Sequence, residues 1–257
     1  MTDAALTDEA LDALRQSVER LHGLVAPMDD GQLEAQAYPK EWSVADVLSH
    51  IGSSAVIMRE RFARGLRGES IADDFAPAVW DAWNAKSARA KADDALAADR
   101  LQLDELLGAT ADERSSFRFS MGPMQFDFGG LVGLRLNEHT LHSWDIEVVD
   151  DPAAELAPSG TRLVIDNLEL IGRFTGKPQS DGRALKVHTT DPERDFTVTT
   201  GPDAVALQPG SSGDPELTLP AAALIRLVYG RLDPEHTPAI GGDAALLDQL
   251  RATYPGP

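Results

Sequence analysis

The sequence predicts an α+β protein: a four-helix bundle over residues 1–152, followed by a smaller α+β domain over residues 153–257. Two observations carry this. In the first part, apolar residues recur every three or four positions, as on one face of a helix. After Pro152 that period gives way to short alternating runs separated by Gly, Pro and Asp. A third observation sets the scale: 257 residues are enough for one large core or two modest ones.

The first predicted helix carries Leu11, Leu14, Val18, Leu21 and Val25 as a single stripe. Thr7 is placed as its cap, with Asp8 and Glu9 at its positive end, and Pro27 closes it. The second starts at Ser43. Asp46 three residues on makes a capping box, and Trp42 and Val47 sit where a hydrophobic staple would. It runs to about Arg64, with Val47, Ile51, Ser54 and Met58 on one face. The alanine-rich stretch from Ala76 to Leu107 reads as one long third helix, and the fourth begins near Gly130 and stops before Asp150. Between these two, Phe117, Phe119 and Met121 alternate, as do Met124, Phe126 and Phe128 across Gly122-Pro123. This predicts a short hairpin covering one end of the bundle.

In the second part Leu163 to Phe174 predicts a helix. Strands are expected at Leu185–His188, Phe196–Val198, Val205–Leu207 and Glu216–Leu219, and two closing helices at Ala221–Tyr229 and Asp243–Tyr254.

Composition narrows the function. A formal charge of −19 repels phosphate backbones and argues against nucleic acid as a partner. The absence of cysteine removes disulfides, thiolate ligands and a cysteine nucleophile, so any thiol in the chemistry must arrive as a small molecule. The acidic start lacks the pattern of a signal peptide, and no apolar run approaches bilayer length. The expectation is a cytoplasmic protein, without membrane partners, that is a monomer or small homo-oligomer.

One group of residues carries chemistry. Glu138 and His142 are four residues apart and fall on the stripe of Leu131, Leu134, Leu141 and Val148, while His50 lies close in angle to Val47, Ser54 and Ile57. Three potential ligands therefore point inward from two helices. A carboxylate on an inward face is costly unless it is paired or bound to a metal. Two imidazoles and one carboxylate leave a fourth position open, as at catalytic zinc. Asp145 and Asp46, at helical spacing from His142 and His50, can accept a ring N–H, and Arg135 can balance Glu138. The same Glu/His spacing also describes an ordinary surface pair, so spacing alone leaves both readings open. His22, His139, His188 and His236 read as hydrogen-bonded core residues without a chemical role.

The segments Trp42-Ser-Val-Ala-Asp-Val-Leu-Ser-His50 and Arg135-Leu-Asn-Glu-His-Thr-Leu-His-Ser-Trp-Asp145 resemble those of the mycothiol-dependent maleylpyruvate isomerase family. That family has a DinB-like metal-binding bundle and a second domain similar to sterol-carrier folds. Its first segment ends in a histidine ligand. Its second supplies Glu and His at E-x-x-x-H, with Trp-Asp following one residue later. These positions correspond to His50, Glu138 and His142. The Gly122-Pro123 hairpin, Val228-Tyr-Gly-Arg231 and Gly241-Gly-Asp-Ala-Ala-Leu-Leu247 extend the likeness over nearly the whole chain.

The resemblance implies a divalent metal, Zn²⁺ first, and mycothiol or a similar thiol as cosubstrate. It also implies cis–trans isomerisation of maleylpyruvate or a related unsaturated acid. Such a diacid needs cationic anchors, for which Arg231 is the first candidate and Arg226 the second; a solvated helix-end arginine is the equal alternative. Two other functions stay open: an S-transferase joining the thiol to electrophiles, and a metal- or ligand-binding protein without turnover.

Overall fold

The computed structural model describes residues 3–180 and 182–256. The chain forms two compact units that meet in sequence between Ala154 and Glu155.

The first unit contains helices α1 (Asp3–Val25), α2 (Asp30–Glu34), α3 (Val44–Gly65), α4 (Phe75–Asn84), α5 (Ala88–Gly108) and α6 (Ala111–Ser116). A two-stranded hairpin, β1 (Phe119–Met121) and β2 (Met124–Phe126), and helix α7 (Phe128–Asp150) complete it. The four long helices α1, α3, α5 and α7 form the bundle. Its α3 side buries Val44, Val47, Leu48, Ile51 and Ala55 against Ala92 and Ala95 of α5. Small residues on α5 let the two helices approach closely.

Three expectations are corrected. Helix α1 starts at Asp3, so Thr7 lies inside it and is not its N-cap. The alanine-rich stretch is two helices, not one: α4 ends at Asn84, and Ser87 restarts the chain by accepting a hydrogen bond from the Ala90 amide at 3.3 Å. On α3, Val47 and Ile51 are buried, but Ser54 and Met58 are only half-buried and face a cleft. The predicted capping box is present: Ser43 Oγ accepts from the Asp46 amide at 3.1 Å, and Asp46 accepts from the Ser43 amide at 3.0 Å. The hairpin pairs Phe119 with Phe126 and Met121 with Met124, and Gly122 supplies the positive φ of 56° at its turn.

Gly52 is the tightest point of α3. A Cβ there would meet the Trp83 ring of α4 and lie 2.9 Å from the Ala95 Cα of α5. Helix propensity favours alanine over glycine by about 1 kcal/mol. Overpacking against a buried ring and a backbone atom costs about 1–3 kcal/mol and should prevail. Gly52→Ala is therefore expected to lower stability in urea unfolding followed by helical signal. A midpoint at or above wild type would show that Trp83 yields freely.

The second unit opens with α8 (Pro158–Val164), a 3-10 turn at Ile165–Asn167 and α9 (Leu168–Thr175), where one continuous helix is expected from the sequence. Strands β3 (Arg183–Thr190), β4 (Arg194–Thr200), β5 (Ala206–Pro209) and β6 (Leu217–Pro220) follow. After them come α10 (Ala221–Val228), a two-residue strand β7 (Gly241–Gly242) and α11 (Ala244–Thr253). The sheet order is β5-β4-β3-β6-β7. The β3–β6 pair is parallel and the other pairs are antiparallel. Leu185, Val187, Phe196, Val198, Leu207, Leu217 and Leu219 are buried, and α10 packs against β3 and β6. No helix among the described residues is long and apolar enough to cross a membrane.

Candidate metal centre

His50 stands two turns into α3, held there by the Ser43 cap. Glu138 and His142 stand one turn apart on α7. The two helices bring one ligand atom from each residue within 4.8 Å of the others. His50 Nε2 is 2.7 Å from Glu138 Oε2, and His142 Nε2 is 3.6 Å from the same oxygen. The two imidazoles meet edge to face with centroids 4.5 Å apart. Among the described residues no fourth His, Asp or Glu joins the group.

The donor set suits a divalent cation. His142 Nδ1 is 2.8 Å from Asp145 Oδ2. With the proton on Nδ1 facing that fully buried carboxylate, Nε2 keeps its lone pair for the centre. Burial pulls the His142 pKa down, against the opposing influence of Asp145 and Glu138, which favours the neutral, ligating form. At Glu138 burial pushes the pKa up. The hydrogen bond to His50 and the charges of His142, His50 and Arg135 outweigh it and hold the carboxyl at about 2. Two imidazoles and an ionised carboxylate, with room for a fourth ligand, match the composition of a zinc-type catalytic centre.

The other predicted residues occupy distinct places. Asp145 faces His142, as described above. Asp46 is engaged elsewhere: it caps α3 and accepts a hydrogen bond from Lys91 Nζ at 2.7 Å. Arg135 is 1% exposed, pairs with Asp99 of α5, and donates to the Ile51 carbonyl of α3 at 3.0 Å. His139 lies beside the same aspartate, its Nε2 2.8 Å from Asp99 Oδ2. His22 is exposed, unlike the other histidines read as structural. Arg226, in the last turn of α10, and Arg231, just after it, are both buried; Arg231 Nη1 donates to the Tyr229 carbonyl at 2.8 Å.

Sequence reasoning missed three features of this unit. Trp42, read as half of a hydrophobic staple, covers the centre: its ring lies 5.4 Å from His50 and 6.1 Å from His142, stacked on the latter. Its loop is held to the bundle by Tyr38 N donating to the Asp145 carbonyl at 3.1 Å. Beside His50 lies a cleft of about 650 Å³, lined also by Trp42, Ser53, Ile57, Arg61 and Trp80. Asp99 had no local signal, because its partners are 36 and 40 residues away in sequence.

The model described as the mycothiol maleylpyruvate isomerase N-terminal domain matches residues 14–147, and the MDMPI C-terminal domain model matches residues 146–249. The chain belongs to the mycothiol maleylpyruvate isomerase family. Two solved structures share its fold. The crystal structure of the mycothiol-dependent maleylpyruvate isomerase superposes with a TM-score of 0.63 at 14% identity, over 90% of this chain and 92% of that one. A histidine-to-alanine mutant of the mycothiol-dependent maleylpyruvate isomerase superposes with a TM-score of 0.64 at 13% identity and the same coverage. No curated protein matches the sequence significantly.

Proposed function

We propose that this family member is a metal-dependent enzyme that uses mycothiol, or a similar small thiol, to isomerise maleylpyruvate or a related unsaturated acid from cis to trans. The observation that carries the reading is the convergence of His50, Glu138 and His142, with no fourth His, Asp or Glu among the described residues, beside an open cleft. A fourth protein ligand would have argued for a closed structural site. The lack of cysteine fits a borrowed sulfur nucleophile.

A divalent ion, Zn²⁺ first, would be held by His50, Glu138 and His142 and would favour the thiolate form of the cosubstrate. The reaction adds that sulfur to the conjugated double bond, allows rotation about the resulting single bond and expels the same thiol. No redox partner is needed. Within the chain, Asp145 fixes the tautomer of His142, Glu138 stays ionised, and the Trp42 ring packs beside both imidazoles. Ser54 lines the cleft, while the buried Ser53 donates its hydroxyl to the His50 carbonyl at 3.1 Å. On the family resemblance, Arg231 and Arg226 are proposed to contribute to diacid binding.

The S-transferase reading has one observation in its favour. The cleft carries Ile57, Met58 and the exposed Trp80, which suit an apolar electrophile. Metal-loaded protein offered maleylpyruvate and a generic electrophile, each with and without mycothiol, separates the readings. The expected result is isomerisation only with thiol, no net thiol consumption and loss of activity on chelation. Arg231→Gln and Arg226→Gln should raise KM in the same assay. Stoichiometric thiol consumption with the electrophile alone would establish the transferase, and turnover of neither would leave a binding protein.

A further inference from the structure

The cleft beside His50 has a second chemical end. Helix α3 runs from His50 through Ser54 and Ile57 to Arg61, steps of four, three and four residues that keep one helical face, and all four side chains line the cleft. Eleven residues separate the backbone positions of the two ends by about 16 Å, and an arginine side chain leaning towards the helix N-terminus shortens the gap between their functional groups.

Arg61 is half-buried, and burial lowers its pKa. Its Nη1 donates to the Ser120 carbonyl at 3.3 Å, its guanidinium stands 5.7 Å from the centroid of Phe119, and its Nε is buried without a hydrogen-bond partner. Among the described residues it forms no ion pair, in a chain with 42 acidic residues against 23 basic ones. The neighbouring acids are otherwise disposed. Asp46 is paired with Lys91, and Glu69 with Arg64 and Arg67. Glu41 lines the cleft and Asp73 an adjoining hollow that Arg61 shares, yet neither pairs with it. Among the described lining residues of the cleft, Arg61 is the one lysine or arginine. A partly desolvated guanidinium without a counter-ion costs free energy, and a carboxylate from a ligand would recover it.

We propose that Arg61 is a specificity-determining residue that binds the remote carboxylate of an elongated unsaturated diacid whose double bond lies at the His50–Glu138–His142 centre. This rests on the isomerase reading for the identity of the reacting end. A purely structural arginine would instead only tie α3 to the hairpin through Ser120.

The test is a binding titration of metal-loaded, thiol-free protein, read by the fluorescence of Trp42 and Trp80 in the cleft. Maleylpyruvate and its neutral diester are the probes. Wild type is expected to prefer the diacid. Arg61→Gln should weaken diacid binding about 10–100-fold, with ester binding and metal content unchanged, and Arg61→Lys should fall between. With thiol present, KM for the diacid should rise while kcat holds. Equal diacid binding by Arg61→Gln and wild type, an equal loss for diacid and ester, or no preference for the diacid in wild type would each overturn the proposal. If Arg61→Gln loses helical content, Arg61→Lys carries the test: about tenfold weaker diacid binding supports it, and unchanged binding overturns it. If wild type binds the diacid selectively but does not isomerise it, the isomerase reading fails while the titrations still decide the role of Arg61.

Discussion

His142→Ala is expected to reduce bound metal from about one per chain to near zero and to abolish thiol-dependent turnover. Loss of a partner behind a ligand typically costs about 10–100-fold in metal affinity, and loss of the ligand itself should cost more. The substitution also removes the group that faces the buried Asp145 carboxylate at 2.8 Å, so a stability loss of about 1–3 kcal/mol should accompany it. Elemental analysis after dialysis gives the primary readout, and far-UV circular dichroism confirms that the helices persist. Metal remaining near one per chain in a folded variant would remove His142 from the centre. Asp145→Asn separates the two effects. It retains the ligand and its neighbour's shape, so metal affinity should fall by the smaller factor while stability changes less.

The second large effect concerns Asp99. Its carboxylate is 2% exposed and holds two cationic or potentially cationic groups of α7, Arg135 through Oδ1 and His139 through Oδ2. Asp99→Ala leaves a buried guanidinium uncompensated, which costs about 3–5 kcal/mol. In thermal unfolding that corresponds to about 2–4 °C per kcal/mol. The pH dependence follows from the same contacts. Burial raises the Asp99 pKa, but His139 and Arg135 together bring it below the ordinary aspartate value of 3.8. A group whose folded pKa is depressed stabilises the fold above its unfolded pKa and loses that contribution as the pH falls through the folded value. Wild type should therefore lose this contribution only below about pH 4, and the gap between wild type and Asp99→Ala should narrow there. A gap that stayed constant into acid would show that the carboxylate charge contributes nothing. The pair Asp99→Leu with Arg135→Met should recover much of the lost stability, because apolar side chains of similar volume can replace a buried ion pair. It should still bind metal more weakly, since Arg135 also holds the Ile51 carbonyl next to His50.

Much of this was legible in the sequence, and the legible part has a common character. The Ser43–Asp46 capping box, the Glu138–His142 pair and the His142–Asp145 contact each join residues three or four apart. The hairpin is likewise local, with Phe119 opposite Phe126 across one glycine turn. Where prediction failed, local preference was overridden or silent. Alanine favours helix throughout Ala76–Leu107, yet the chain turns at Ala85–Ser87, where Trp83 packs against Gly52. A two-residue Gly241–Gly242 strand has no periodicity to detect; it exists because β6 offers an edge to pair with.

The sequence by itself therefore determined the helical and mixed parts, the start of α3, the placing of Glu138 and His142 on one face of α7 and the lack of any cysteine. All of these follow from spacing within a few residues or from composition. Only the tertiary structure decided that His50 meets Glu138, that Trp42 covers the centre, that Asp46 serves Lys91, and that Asp99 joins Arg135 and His139. It also showed that Arg61 forms no ion pair among the described residues. Each of these depends on which helix faces which. That is set by burial of the apolar stripes as a whole, and the spacing of the residues concerned carries no record of it.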